Sequence, residues 1–175
     1  IEADVNYTFA GSGKISGTTG LTKTNSGTLT IQTTNDYTGP TIIGGGVVAV
    51  NQLANGGAAS RLGAATSEPE NLIFSGGTLR YTGGSVTIDR GATLDGIGGT
   101  FDVDSAGTTL TWNGTNVGNG QLIKDGAGIL TLSADNSFSG GTVISSGPVT
   151  LNGPPSGGTT TANNYALGSG SVTFR

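Results

Sequence analysis

The chain has 175 residues, 34 of them glycine, with only 33% hydrophobic and 10% charged residues. Charge this low argues against a disordered segment, and no stretch sustains a 3.6-residue apolar period, which leaves an all-β fold with many tight corners. A net charge of −4 with seven scattered Lys and Arg excludes a basic nucleic-acid footprint. The absence of Cys and His excludes disulfides, the usual zinc sites and His-based catalytic triads, and no apolar run is long enough to cross a membrane as a helix.

Taken in chain order, the sequence begins at Ile1 and contains no Met. It reads as a fragment of a larger protein, with any signal peptide lying outside it. Val5–Phe9 is the first strand signal. Gly11-Ser12-Gly13-Lys14 hints at a phosphate loop, but Thr8 and Ile15 break the required pattern, so the run reads as a corner. Thr28-Leu29-Thr30-Ile31 then alternates polar and apolar, turning Leu29 and Ile31 inward. Val48 and Val50 form the next inward pair, 19 residues on. Between them Gly39-Pro40 and Gly44-Gly45-Gly46 mark corners. Asn35 stands at another, where an Asn takes left-handed backbone or bonds neighbouring main chain, and Tyr37 is expected to stack there.

Asn51–Asn71 is a long loop. Leu72–Phe74, Thr78–Tyr81, Val86–Ile88, Thr100–Val103 and Thr108–Trp112 are further strand signals. The sequence then returns on itself: Leu122–Asn152 matches Leu21–Asn51 without a gap at a shift of 101 residues. The pairs Leu21/Leu122, Lys23/Lys124, Gly27/Gly128, Leu29/Leu130, Asn35/Asn136, Gly46/Gly147 and Val48/Val149 are identical, and Tyr37/Phe138 keeps its class. A second loop, Asn152–Ala166, follows the strand equivalent to the one before the first loop. Both loops are therefore expected to leave the molecule on the same side. Val172–Phe174 closes the chain as a strand.

A strand every 19 to 24 residues is the length of one coil with three short sides. The expected fold is a right-handed parallel β-helix, one domain over residues 1–175. At about 4.8 Å per coil, about 7–8 coils make a rod roughly 35 Å long. A β-sandwich does not account for the gapless duplication. Strands exposed at the two rod ends would need cover from neighbouring domains or further coils.

The run from Gly20 to Ile31 with Asn35-Asp36-Tyr37-Thr38-Gly39-Pro40-Thr41-Ile42-Ile43, and the run from Leu122 to Leu132 with Asn136-Ser137-Phe138-Ser139-Gly140-Gly141-Thr142-Val143-Ile144, resemble the autotransporter passenger-associated repeat. That resemblance implies a β-helical fold in a secreted or cell-surface bacterial protein. In overall character the chain also resembles β-helical carbohydrate-binding modules of bacterial xylanases.

Function is expected away from the duplicated scaffold, in the middle coils and the two loops. The leading expectation is a non-catalytic carbohydrate-binding module that binds a plant cell-wall polysaccharide, xylan first, and targets an attached glycoside hydrolase. Trp112, Tyr81 and Tyr165 would offer flat apolar faces to sugar rings, and Arg80, Asp102 and Asp104 would supply hydrogen bonds. Asp102 and Asp104, two apart in a strand, share one face and could also hold Ca²⁺; no other cofactor is expected. The partner is a polysaccharide, with no nucleic acid and no membrane insertion, and the chain is expected to be a monomer within a multidomain protein. The alternative is a structural stalk or adhesin segment of an autotransporter-like surface protein. A β-helical lyase or hydrolase stands third, because isolated Arg80 and Arg90 make a poor catalytic base.

Overall fold

The computed structural model describes residues 1–152 and 166–175. The chain winds as a parallel β-helix of about seven turns. One long face runs the length of the rod as an eight-stranded parallel sheet. Its strands are Tyr7–Phe9, Thr28–Ile31, Val47–Val50, Thr78–Tyr81, Gly99–Val103, Leu122–Asp125, Thr142–Ile144 and Val172–Phe174. A second face, of five strands, covers the N-terminal part: Leu21–Lys23, Thr41–Ile43, Leu72–Phe74, Ala92–Leu94 and Asn116–Gly118. A third face, of four strands, covers the C-terminal part: Val86–Ile88, Thr109–Trp112, Ile129–Leu132 and Val149–Leu151. The three-sided coil is therefore complete in strands only in the middle, where all three sheets overlap.

Period-two alternation decides which side chains enter the rod. Leu29, Ile31, Val48, Val50, Leu79, Tyr81, Phe101, Val103, Leu110, Trp112, Leu130 and Leu132 stack inward and are buried. Phe74, Phe101 and Trp112 run through the centre as an aromatic column, with ring centroids 5.0 and 4.9 Å apart. The second contact is edge-to-face, an arrangement that suits the ring quadrupoles. The strands missing from the sequence reading, such as Leu21–Lys23, Ala92–Leu94 and Asn116–Gly118, are only three residues long. None of them has the large apolar residue at both ends that marks Val86–Ile88 and Val172–Phe174.

Two lysines point into this interior. Lys23 and Lys124 are fully buried. Each ammonium closes a corner by donating to three main-chain carbonyls. Lys23 Nζ reaches Thr24 O, Asn25 O and, on the next coil, Gly45 O at 2.6, 2.9 and 3.2 Å. Lys124 Nζ reaches Asp125 O, Gly126 O and, on the next coil, Ser146 O at 2.6, 2.7 and 3.0 Å. A buried ammonium is tolerated only when its donors are satisfied, and these are. Burial still pushes both ammonium groups below their ordinary pKa. Gly46 and Gly147 close the same corners with φ of +59° and +67°, and a Cβ on either would come within 2.9 Å of the ammonium. The identical Lys and Gly of the two units are thus one physical device.

Asn35 and Asn136 form the second shared device. Each is buried and bonds across three coils. Asn35 Oδ1 accepts from Ile15 N at 2.9 Å and its Nδ2 donates to Arg61 O at 3.2 Å. Asn136 Oδ1 accepts from Asn116 N at 2.6 Å and its Nδ2 donates to Ala166 O at 2.7 Å. Neither has positive φ; among the described residues the non-glycine residue that does is Asn25, whose counterpart in the second unit is Gly126.

The two units do not occupy the same faces. Leu21–Lys23 and Thr41–Ile43 lie on the five-stranded face, whereas their counterparts Leu122–Asp125 and Thr142–Ile144 lie on the long face. Thr28–Ile31 and Val47–Val50 lie on the long face, and their counterparts Ile129–Leu132 and Val149–Leu151 on the four-stranded face. The second unit is therefore turned by one side of the coil. The strands that precede the two long loops therefore lie on different faces, because a shift of 101 residues is not a whole number of turns; the second loop itself lies outside the described residues.

Replacing Lys124 by Met should leave three carbonyls without their donor. The expected loss is about 1–3 kcal/mol of unfolding free energy, read from urea denaturation, with a far smaller effect for Lys14→Met at the exposed ion pair.

Candidate functional site

Arg80, Asp102 and Asp125 form an outward row on the long face, paired in register with one another. Arg80 Nε donates to Asp102 Oδ2 at 2.6 Å. That carboxylate raises the Arg80 pKa above its ordinary value. Asp102 is 6% exposed although it faces outward, because Arg80 and the neighbouring corner cover it. Asp104 stands one residue past the strand and is exposed. The two aspartates share a face as expected, but Asp102 is already committed to Arg80. Among the described residues no three His, Cys, Asp or Glu side chains converge as a cation site.

The aromatic residues expected to form a sugar platform lie elsewhere. Trp112 is 0% and Tyr81 3% exposed. Both share the parity of inward leucines, so the alternation that makes their strands also removes their rings from the surface. Tyr81 donates its hydroxyl to Gly84 O at 2.6 Å. Tyr165 lies outside the described residues. Lys14, from the glycine-rich corner, bonds Asp36 Oδ2 at 2.5 Å, and Ser16 donates to Asp36 Oδ1 at 2.5 Å. At the N-terminal end of the rod, Phe9, Ile15, Lys14 and Thr33 line an opening of about 370 Å³, where the core meets solvent.

The first long loop is strapped to the rod. Arg90, at the corner after Val86–Ile88, is 3% exposed. It donates to five loop carbonyls: Ala54, Ala65, Asn55, Ala58 and Gly63. Asp89 beside it accepts from Gly56 N at 2.7 Å, and Asn55 Oδ1 accepts from Asp89 N at 3.1 Å. Burial pushes the Arg90 guanidinium below its ordinary pKa. Its donors reach no carboxylate, so the loop main chain accepts all of its hydrogen bonds, with the Asp89 charge nearby partly offsetting the burial. Arg90 is thus a structural clamp and not the catalytic base considered from sequence.

Where the loop returns, the repeat resumes. Ala64 N donates to Tyr37 O at 2.8 Å, and Ser169 N to Phe138 O at 2.9 Å. Gly63 and Gly168, both with φ of +72°, lie directly on the Tyr37 and Phe138 rings, where a Cβ would come within 2.8 Å of ring carbons. The Leu-Gly pairs 62–63 and 167–168 are therefore equivalent, at a shift of 105 residues instead of 101. A gapless comparison stops at the loop and misses them. The signal was the Leu-Gly pair ahead of the strands ending in Phe74 and Phe174.

The architecture defines a β-solenoid segment built on a duplicated unit. Residues 21–50 and 122–152 both match the Passenger-associated-transport-repeat family. The Brucella suis biovar 1 (strain 1330) protein "Adhesin BmaC autotransporter" is 48% identical over 114 residues, covering 65% of this chain. The chain spans 3% of that relative's length. No solved structure matches the chain. These findings overturn the expected xylan-binding module: the repeats and the relative belong to autotransporter passengers, and neither points to a carbohydrate or an attached hydrolase. They point instead to a non-enzymatic segment.

Two outcomes test this arrangement. Arg90→Met should expose the 52–66 strap, so amide exchange at Gly56 and Gly57 rises sharply while the Leu122–Leu132 strands keep their protection. The Lys14 and Ser16 bonds hold the Asp36 carboxyl below its ordinary pKa. A lowered carboxylate pKa stabilises the fold above the ordinary value, and the contribution disappears as pH falls through the lowered one. The difference in urea midpoint between the natural chain and Asp36→Asn should therefore be present at neutral pH and vanish in strong acid.

Proposed function

We propose that the chain is a rigid passenger segment of a secreted or cell-surface bacterial adhesin, serving as a structural spacer. The observation that carries this reading is the pair of passenger repeats wound into one continuous β-helix. A parallel solenoid derives its stability from coil-on-coil contacts, so it lengthens without a new core design. The inward stacking of Leu, Ile, Val and aromatic residues through the coils between the two ends supports that role, as does the strapping of the 52–66 loop. The relative's name as an adhesin supports the setting.

Exchanging this segment, within its full-length surface protein, for an unrelated β-helix of equal coil number should preserve both surface exposure and attachment to host cells. Loss of attachment with exposure retained would mean that the segment itself carries the adhesive surface, and the spacer reading would fall.

A further inference from the structure

The corner Asp125-Gly126 follows the strand Leu122–Asp125 and belongs to the second buried-lysine node. Three features of that corner favour one reaction. Gly126 N–H donates to Oδ1 of the preceding side chain, Asp125, at 2.8 Å. That bond holds the amide nitrogen beside the side-chain carboxyl group whose carbon it would attack. Gly126 has a φ of +76° and no Cβ to obstruct ring closure. The carbonyl of Asp125 shares its peptide bond with that nitrogen and accepts from Lys124 Nζ at 2.6 Å. A cation on the carbonyl oxygen withdraws electron density through the amide and acidifies the N–H.

We propose that Asp125-Gly126 is a site of spontaneous succinimide formation and isoaspartate conversion. Gly126 N forms a bond to Asp125 Cγ, and the carboxyl oxygen leaves as water with the amide proton and the carboxyl proton. Water then reopens the ring. Attack at Cγ restores aspartate. Attack at the original main-chain carbonyl breaks its bond to nitrogen and leaves the backbone running through the Asp125 side chain. The sum is an isomerisation with no oxidant or cofactor. The carbonyl that Lys124 held becomes a free carboxylate, and the corner gains one backbone carbon.

The chain contains its own comparisons. Thr24-Asn25 follows Lys23 with a similar φ of +63° at Asn25, but Thr24 has no carboxyl group. Asp95-Gly96 has the carboxyl group and the same bond, Gly96 N to Asp95 Oδ1 at 2.9 Å, but that N–H is shared with Asn119 Oδ1 at 3.0 Å. The Asp95 carbonyl accepts from the neutral Gly98 N–H at 2.8 Å, where Asp125 has an ammonium.

The folded chain would be aged at physiological temperature and neutral pH, and isoaspartate at residues 125 and 95 quantified by mass spectrometry of peptides cut after denaturation. Isoaspartate should accumulate several-fold faster at Asp125 than at Asp95. The two rates should converge in the urea-unfolded chain, where neither corner exists. Asp125→Glu, which would need a larger ring, should abolish the signal at that position while keeping the exposed carboxylate. Equal rates in the folded protein, a faster Asp95, or no conversion at Asp125 would overturn the proposal.

Discussion

The fold depends on how a narrow rod turns its corners. Each coil must reverse direction while its main-chain carbonyls converge toward the axis, and an apolar side chain cannot satisfy them. At two corners a buried ammonium does so, binding two carbonyls of its own coil and one of the next. The node therefore links neighbouring coils as well as closing a turn. It also dictates the glycines around it, since Gly46 and Gly147 leave no room for a Cβ beside the charge. Buried Asn35 and Asn136 extend the same logic across three coils with neutral donors and acceptors.

These two devices explain why the duplication is visible at all. Lys, Gly, Asn and the aromatic ring recur because each fills a place with a fixed partner, whereas the outward Thr and Ser face water and vary. The resulting unit is not tied to a side of the rod. In its first copy it spans the five-stranded and long faces; in its second, the long and four-stranded faces. The same residues solve the same corner problem one side further round, and the sheets begin and end where the copies shift. The 52–66 loop replaces a strand at the start of the four-stranded face, and Arg90 from the following coil ties it down.

Much of the architecture was legible in the sequence because alternation over four residues marks a strand, as at Thr28–Ile31, Thr78–Tyr81 and Thr109–Trp112. Ala92–Leu94 and Asn116–Gly118 gave no such signal, having no large apolar residue at both ends, and Leu21–Lys23 concealed itself because a lysine seldom points inward. The candidate site was less legible. Trp112 and Tyr81 were set in alternating strands whose parity already placed them beside inward leucines, yet their chemistry suggested a sugar platform. Parity was the better guide. Arg90 looked isolated in sequence because its partners are main-chain carbonyls more than 20 residues away, which carry no residue signature.

The distribution of basic side chains carries a further consequence. Lys23, Lys124 and Arg90 are buried, and Lys14, Arg61 and Arg80 are engaged with Asp36, with Asn51 and Thr34, and with Asp102. An enzyme that cuts after lysine or arginine needs an extended stretch of chain around a free basic side chain. Within the described coils only Arg175, at the end, is both unengaged and exposed. The chemistry that turns the corners thus also hides Lys23, Lys124 and Arg90 from trypsin-like proteases, so cleavage after these three would have to wait for a coil to open.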